Sequence, residues 1–355
     1  MKFDFVIGNP PYQDDRIGDN AGYAPPVYND FMDAAYEVAE KVELIHPARF
    51  LFNAGSTPKA WNKKMLSDPH FKVMEYEEDA TKYFSTAELK GGVAITYRDA
   101  LKEFGAVNVF LKLKELNSIL KKVTHNSSSF EGFDKIVISR TVYRLTERMH
   151  QDNPQARYKE NDAGENIGQL SKGHDYDMAT NIFERLPQIF FNEMPKDGNK
   201  YIRILGRENG NRVVKWVRKD YVNEPKPLFK YSIILPKANG SGKFGEILSQ
   251  PIITEPGIGT TETFLSIGFF DTKIEDENCL KYLSTKFTRS MLGILKTTQD
   301  LTPDKWKYVP LQNFTPKSDI DWSKSVADID QQLYKKYGLT QEEIDFIESN
   351  VKEME

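Results

Sequence analysis

A chain of 355 residues, 39% apolar and 28% charged, has room for about two globular domains with ordinary cores. Its formal net charge of −4 excludes a globally basic nucleic-acid coat, so any basic surface must be local. A single cysteine, Cys279, excludes an internal disulfide framework and a cysteine-rich zinc site, and no apolar run approaches the roughly 18 residues of a membrane span. A cytoplasmic setting is expected; Met1 leads straight into a strand, so no signal peptide is expected either.

Phe3-Asp4-Phe5-Val6-Ile7-Gly8 reads as a buried strand, an apolar run closed by glycine. Asn9-Pro10-Pro11-Tyr12 follows at once. Asn9 therefore sits at the carboxyl edge of a sheet, where open α/β sheets bind ligands. Two prolines stiffen the turn, and the first biases Asn9 toward extended backbone. These residues suit one kind of chemistry. An exocyclic amine on a nucleobase is a poor nucleophile, because its lone pair is delocalised into the ring. The Asn9 side-chain carbonyl and the Pro10 main-chain carbonyl can both accept N–H bonds from such an amine. Two acceptors pull it toward tetrahedral geometry and localise the lone pair for attack on a methyl group. Tyr12 can stack on the base, worth roughly 1–3 kcal/mol. This chemistry needs no metal, no general-base histidine and no nucleophilic cysteine.

Phe3–Tyr12 resembles the catalytic motif of the amino-group DNA methyltransferases, in the form typical of adenine-N6 enzymes of restriction-modification systems. The resemblance implies S-adenosylmethionine (SAM) as cofactor, a Rossmann-like sheet, double-stranded DNA as partner and a base flipped out of the duplex. It assigns Asn9, Pro10, Pro11 and Tyr12 to catalysis, with Asn9 and Pro10 also touching the cofactor. Relatives carrying the same four residues methylate RNA or protein glutamine. A DNA-recognition module that keeps the motif without a SAM site is the other alternative.

Beyond Tyr12, Gln13–Pro26 is a polar loop, either a lid over the base or a plain surface loop. Val27–Lys41 reads as a helix, with Phe31, Ala34, Ala35, Val38 and Ala39 at helical spacing. Val42–Pro47 reads as a strand in which His46 is a packing residue, and Ala48–Leu51 as the start of another helix. Lys59–Leu66 looks helical, Phe71–Tyr76 extended and Thr81–Phe84 a loop. Glu88-Leu89-Lys90 is too weak a pattern for a nuclease. The double glycine Gly91-Gly92 opens a β-branched strand through Arg98. Restriction-modification adenine methylases carry a similar strand at a similar distance, with a base-contacting aromatic nearby. Tyr97 matches it best, with Tyr83 and Phe84 as alternatives.

Residues 1–124 thus look like the second half of a Rossmann-like methyltransferase domain. A glycine-rich SAM loop is not evident: Gly257-Ile258-Gly259 opens no helix, and Gly240-Ser241-Gly242-Lys243 lacks the rest of a phosphate loop, so both read as turns. A second chain supplying the SAM-binding half, or a nuclease, is an expected partner, and the isolated chain is expected to be inactive.

Residues 125–315 read as an α+β target-recognition domain. It opens on the Thr124–Gly132 connector. Strands are expected at Lys135–Arg140, Lys200–Leu205, Arg212–Arg218, Tyr231–Pro236, Ile252–Glu255 and Phe264–Phe270, and helices at Ala179–Phe191 and Leu280–Leu295. Glu208-Asn209-Gly210-Asn211 is a hairpin turn. The stretch Thr297–Asp300 and Trp306–Pro310 resembles the recognition domains of restriction-modification specificity proteins. Lys200–Lys243 holds 11 Lys/Arg against 3 Asp/Glu, interleaved with aromatics. Arg203, Arg207, Arg212, Lys215, Arg218 and Lys219 are the expected DNA contacts; a solvated face of a sheet is the alternative. Residues 316–355, with 5 Lys/Arg against 10 Asp/Glu, form an acidic unit of two helices, Asp328–Tyr337 stopped by Gly338 and Thr340–Val351 opened by a Thr-Gln-Glu-Glu cap.

Overall fold

The computed structural model describes residues 3–14, 25–53, 56–84, 92–111, 113–125, 130–296 and 299–354. Most of the Gln13–Pro26 loop, Glu88-Leu89-Lys90, Gly91 and Thr297-Thr298 lie outside them. The chain divides into two units, Met1–Asn117 and Ser118–Glu355. No helix among the described residues is long and apolar enough to cross a membrane.

The first unit contains β1 (Phe3–Gly8), α1 (Tyr28–Val38), β2 (Ala39–Pro47), α2 (Lys59–Ser67), β3 (Phe71–Glu77) and β4 (Val93–Asp99). A further helix, α3 (Lys114–His125), crosses the boundary between the units and was not expected from the sequence. The strands form one mixed sheet in the order β1-β2-β4-β3. β1 runs parallel to β2, and β4 lies antiparallel between β2 and β3. α1 is shorter than its apolar spacing suggests. Strand pairing captures Ala39 and Lys41, through Phe3↔Ala39 and Lys41↔Asp99, and the helix ends at Val38. Its phase is also shifted. Tyr28, Asn29 and Met32 are the buried positions, while Phe31 is exposed. The helix expected from Ala48 is a single 3₁₀ turn, Arg49–Phe52, ended by Asn53 at φ 53°. Tyr28, Met32, Val42, Leu44, Phe50, Trp61 and Phe71 build the core against the sheet.

The second unit contains β5 (Val137–Ile138), α4 (Glu147–Asp152), α5 (Ile182–Arg185), β6 (Tyr201–Glu208), β7 (Asn211–Arg218), β8 (Tyr231–Pro236), β9 (Ile252–Thr254), β10 (Ile258–Thr260), β11 (Phe264–Phe270), α6 (Lys273–Ser284), α7 (Lys286–Gly293), α8 (Val326–Tyr337) and α9 (Gln341–Asn350). Its sheets run β10-β6-β7 and β5-β11-β8-β9. The helix expected over Ala179–Phe191 shrinks to α5, because Pro187 disfavours helical backbone at Leu186. Gly257–Gly259 is not simply a turn: Ile258–Thr260 pairs with Arg203–Leu205. A Cβ at Gly259 would strike Ile204 and Tyr143, so only glycine lets β10 lie that close. The single helix expected over Leu280–Leu295 is two, broken at Thr285, whose extended backbone and side chain cap α7. The acidic helix α8 starts two residues before the expected Asp328, capped by Ser325, while its stop and the start of α9 lie where their caps predict. Gly338 ends α8 at φ 64°, and Thr340 with Glu343 forms a capping box. They belong to the second unit: Tyr337 stacks on Phe287 of α7, and Asp330 accepts the Lys286 and Phe287 amides at 3.0 and 2.8 Å.

One buried acid has a pH consequence. Asp276 of α6 is fully buried, and both its carboxylate oxygens lack a hydrogen-bond partner among the described residues. Burial, with Glu277 adding to it, pushes its pKa up to about 7. The folded state therefore holds this proton more tightly than the unfolded chain, whose aspartates titrate near about 4. The contribution is complete below that value and is lost as pH rises through about 7. Asp276→Asn is expected to gain thermal stability relative to the parent as pH goes from 5 to 8. A difference in Tm that does not change with pH would contradict the assignment.

Candidate functional site

β1 delivers Asn9 to the end of the sheet. Gly8 makes the last pairing, with Leu44 of β2, and the chain then leaves the sheet through Asn9-Pro10-Pro11-Tyr12. Asn9 and Pro11 are exposed, and Pro10 and Tyr12 half-buried. A short backbone ladder fixes the turn: the Val27 amide donates to the Tyr12 carbonyl at 3.2 Å, and Asp14 to Pro25 at 3.0 Å. The start of α1 thus clamps the far side of the motif. The Tyr12 hydroxyl is shielded from solvent, and burial raises its pKa, with the neighbouring Asn9 side chain acting the other way. The hydroxyl has no hydrogen-bond partner among the described residues.

Phe84 is the aromatic that meets Tyr12, edge to face, with centroids 6.2 Å apart and planes at 79°. It is placed by the 3₁₀ turn Ala80–Lys82, whose Ala80 carbonyl accepts the Phe84 amide at 2.9 Å and whose cap is Asp79. Tyr97 does not reach the motif. In β4 it pairs with Glu43, which pairs in turn with Ile7. Its ring packs on Phe5 and Phe104, under the ammonium of Lys72, and its hydroxyl donates to Asp99 at 3.3 Å. The structure therefore brings together Asn9, Pro10, Tyr12 and Phe84, and leaves Tyr97 on the sheet.

His46 ends β2 behind this turn and is fully buried. Nδ1 lies 3.1 Å from the Pro47 carbonyl, which can only accept, so Nδ1 carries the proton and Nε2 accepts from Thr96 at 2.7 Å. Burial lowers its pKa to about 4, and its ring stacks on Tyr28. A neutral, doubly bonded, enclosed imidazole is a packing residue, as expected.

In the second unit, β6 and β7 form the hairpin that carries the basic block. Asn209 and Gly210 turn it, at φ 51° and 80°. Most of its charges have partners brought from elsewhere in the chain. Lys215 is only 8% exposed and bonds Glu208 at 2.6 Å. Strand alternation sends it to the opposite face from Arg212 and Arg218. Arg218 is shared between Asp152 and Asp220, Lys219 reaches Glu224 at 3.2 Å, and Arg203 lies 3.7 Å from Glu255. Arg207 and Arg212 face each other across the ladder.

The two glycine-rich stretches offer no open cradle. Gly259 is in β10. The Ser241 and Gly242 amides hold the Glu246 carboxylate at 2.8 and 3.1 Å, and the buried Lys296 bonds the same carboxylate. Among the described residues no group of His, Cys, Asp and Glu is placed to hold a metal ion.

Residues 1–84 match the family model described as the Eco57I restriction-modification methylase. Over 95 residues the chain is 30% identical to an uncharacterized adenine-specific methylase of Mycoplasma pneumoniae, a match covering 26% of this chain and 22% of that protein. Two solved structures align along most of the chain. The type IIG restriction endonuclease BpuSI aligns at 11% identity and TM-score 0.31, over 95% of this chain and 49% of that one. The type IIL restriction-modification enzyme MmeI, solved in complex with DNA, aligns at 9% identity and TM-score 0.35, over 98% and 56%. The chain thus spans about half the length of these two enzymes, and scores this low carry no argument about fold. Over its first 84 residues the chain is similar to the Eco57I restriction-modification methylase family, which bears out the resemblance to restriction-modification adenine methylases.

Proposed function

We propose that this chain is part of a restriction-modification DNA methyltransferase that places a methyl group on the N6 amine of a flipped adenine. Support comes chiefly from one observation: Asn9-Pro10-Pro11-Tyr12 stands at the open end of β1, with Asn9 exposed and Phe84 set against Tyr12. The Asn9 and Pro10 carbonyls accept the two N–H bonds of the amine and localise its lone pair. Tyr12 stacks on the base, and Phe84, edge to face with Tyr12, offers the base a second aromatic contact. When bound, SAM supplies the electrophilic methyl. Asn9 and Pro10 fit its methionine end, and the described residues provide no glycine-rich cradle for its ribose and adenine.

The first unit reads as the second half of a Rossmann-like sheet, and the second unit as the domain that chooses the DNA sequence. β1 is an edge strand whose Phe3, Phe5 and Ile7 are 50%, 45% and 73% exposed. Such an apolar edge calls for cover. A SAM-binding half, on this chain or on a partner, would supply it by adding strands beside β1.

The pocket assignment separates Phe84 from Tyr97. Phe84→Leu is expected to lower kcat/KM for DNA methylation by the stacking it removes, about 1–3 kcal/mol, or about 5- to 150-fold. Tyr97→Leu is expected to leave kcat/KM within about twofold, in line with ordinary surface substitutions. Equal losses at the two positions would return Tyr97 to the pocket.

A further inference from the structure

We infer that Arg207 and Arg212 form a clamp for one phosphate of duplex DNA, and that the other basic residues of this hairpin serve mainly to hold the fold. The inference rests on the proposal that the second unit binds DNA. The two arginines are directly opposed near the tip of the β6–β7 hairpin, one pair in from the Glu208↔Asn211 closure. Like charges facing each other across an antiparallel pair destabilise a hairpin. Here no carboxylate among the described residues relieves them. Neither guanidinium has a carboxylate partner, although the neighbouring Lys215, Arg218 and Lys219 each do.

The surroundings hold the pair ready for an anion. Arg212 donates one bond to the Gln250 carbonyl at 3.2 Å and lies 5.7 Å from the Phe264 ring centre. Those contacts orient the guanidinium and still leave donors unused, since it has five. Burial and the nearby Arg207 both lower the Arg212 pKa, as expected where positive charge is crowded. Arg207 is exposed. A phosphodiester between the two would turn their repulsion into two charge-assisted pairs, and Arg is the side chain best shaped for that task. Two-residue hairpin tips are narrow enough to enter a groove or follow a backbone.

The test uses the full chain and a fluorescein-labelled duplex of random sequence, titrated by anisotropy at salt concentrations from about 50 to 200 mM. Arg207→Gln and Arg212→Gln are each expected to flatten the slope of log affinity against log salt by about one. The double variant is expected to lose less than the sum of the two, because the arginines act on one phosphate. Lys219→Gln, whose partner is Glu224, should leave the slope unchanged. Thermal melts supply the second readout. Removing one arginine relieves the repulsion, so Arg207→Gln should melt no lower than the parent. Folded Arg207→Gln and Arg212→Gln chains with an unchanged salt slope would overturn the clamp, as would a parent chain that fails to bind duplex at low salt. Retained duplex binding with unchanged slopes overturns the clamp alone, whereas a parent chain that fails to bind duplex overturns the reading of the second unit as DNA-binding, so the two failures are separable.

Discussion

Asn9→Ala is expected to cut DNA methylation by about 10²-fold or more while leaving duplex affinity nearly unchanged. The size follows from what Asn9 contributes. On the proposed reading it is one of two acceptors that distort the target amine as it becomes a nucleophile, and removing a preorganised partner of developing charge costs about 10²–10³ in kcat. Affinity is spared because, on that reading, Asn9 acts on the extruded amine and on no phosphate. Asn9→Ala should also fold normally, since the side chain is exposed and the turn is held by main-chain bonds from Asp14 and Val27. Methyl transfer from labelled SAM, beside an anisotropy titration of the same variant, separates the two effects. Undiminished turnover in a folded Asn9→Ala protein would remove Asn9 from the chemistry. A parallel loss of DNA affinity would assign it to binding.

The purified chain is expected to bind SAM in the millimolar range at best. Rossmann-like sites hold this kind of cofactor with a glycine-rich turn opening a helix and an acid about 20 residues on. Among the described residues, the Gly257–Gly259 stretch is spent on the close packing of β10, and the Ser241 and Gly242 amides are occupied by Glu246. What remains is Asn9 and Pro10 at the methionine end. Each missing hydrogen bond to the ribose or adenine forgoes about 0.5–1.5 kcal/mol, and a handful of them separates micromolar from millimolar binding. Isothermal titration is the direct check. A one-to-one micromolar isotherm would reveal a cofactor site in this chain. Restoration of micromolar binding by a SAM-binding partner half would support the view that β1 is an edge awaiting more strands.

The likeness to restriction-modification adenine methylases was legible in the sequence because its signal is local. Four consecutive residues after a glycine-ended strand fix their own place in the sheet. Which of Tyr97, Tyr83 and Phe84 lies against Tyr12 was left open by the sequence, because it depends on register. Tyr97 stands a plausible distance along the chain, yet its pairing with Glu43, in line with Ile7, sets it beside Phe5, whereas a short turn returns Phe84 to Tyr12. The basic block shows the same limit for charge. Counting Lys200–Lys243 finds the excess, but Asp152 and Glu255 lie outside that window and neutralise part of it. Alternation along β7 then hides Lys215. Secondary structure failed where pairing overruled periodicity, as at Ala39, where β2 ends α1 early. It held where a cap gives a local stop or start, as at Gly338 and Thr340.

The most direct test of the central claim reads the modified atom itself. The chain would be produced together with its SAM-binding half in a host lacking adenine methylation, and the host DNA sequenced for modified bases. N6-methyladenine at one recurring sequence, lost with Asn9→Ala, is the predicted result. Methyl groups on cytosine, methylation of RNA or protein without DNA, or an adenine mark that persists in Asn9→Ala would contradict it.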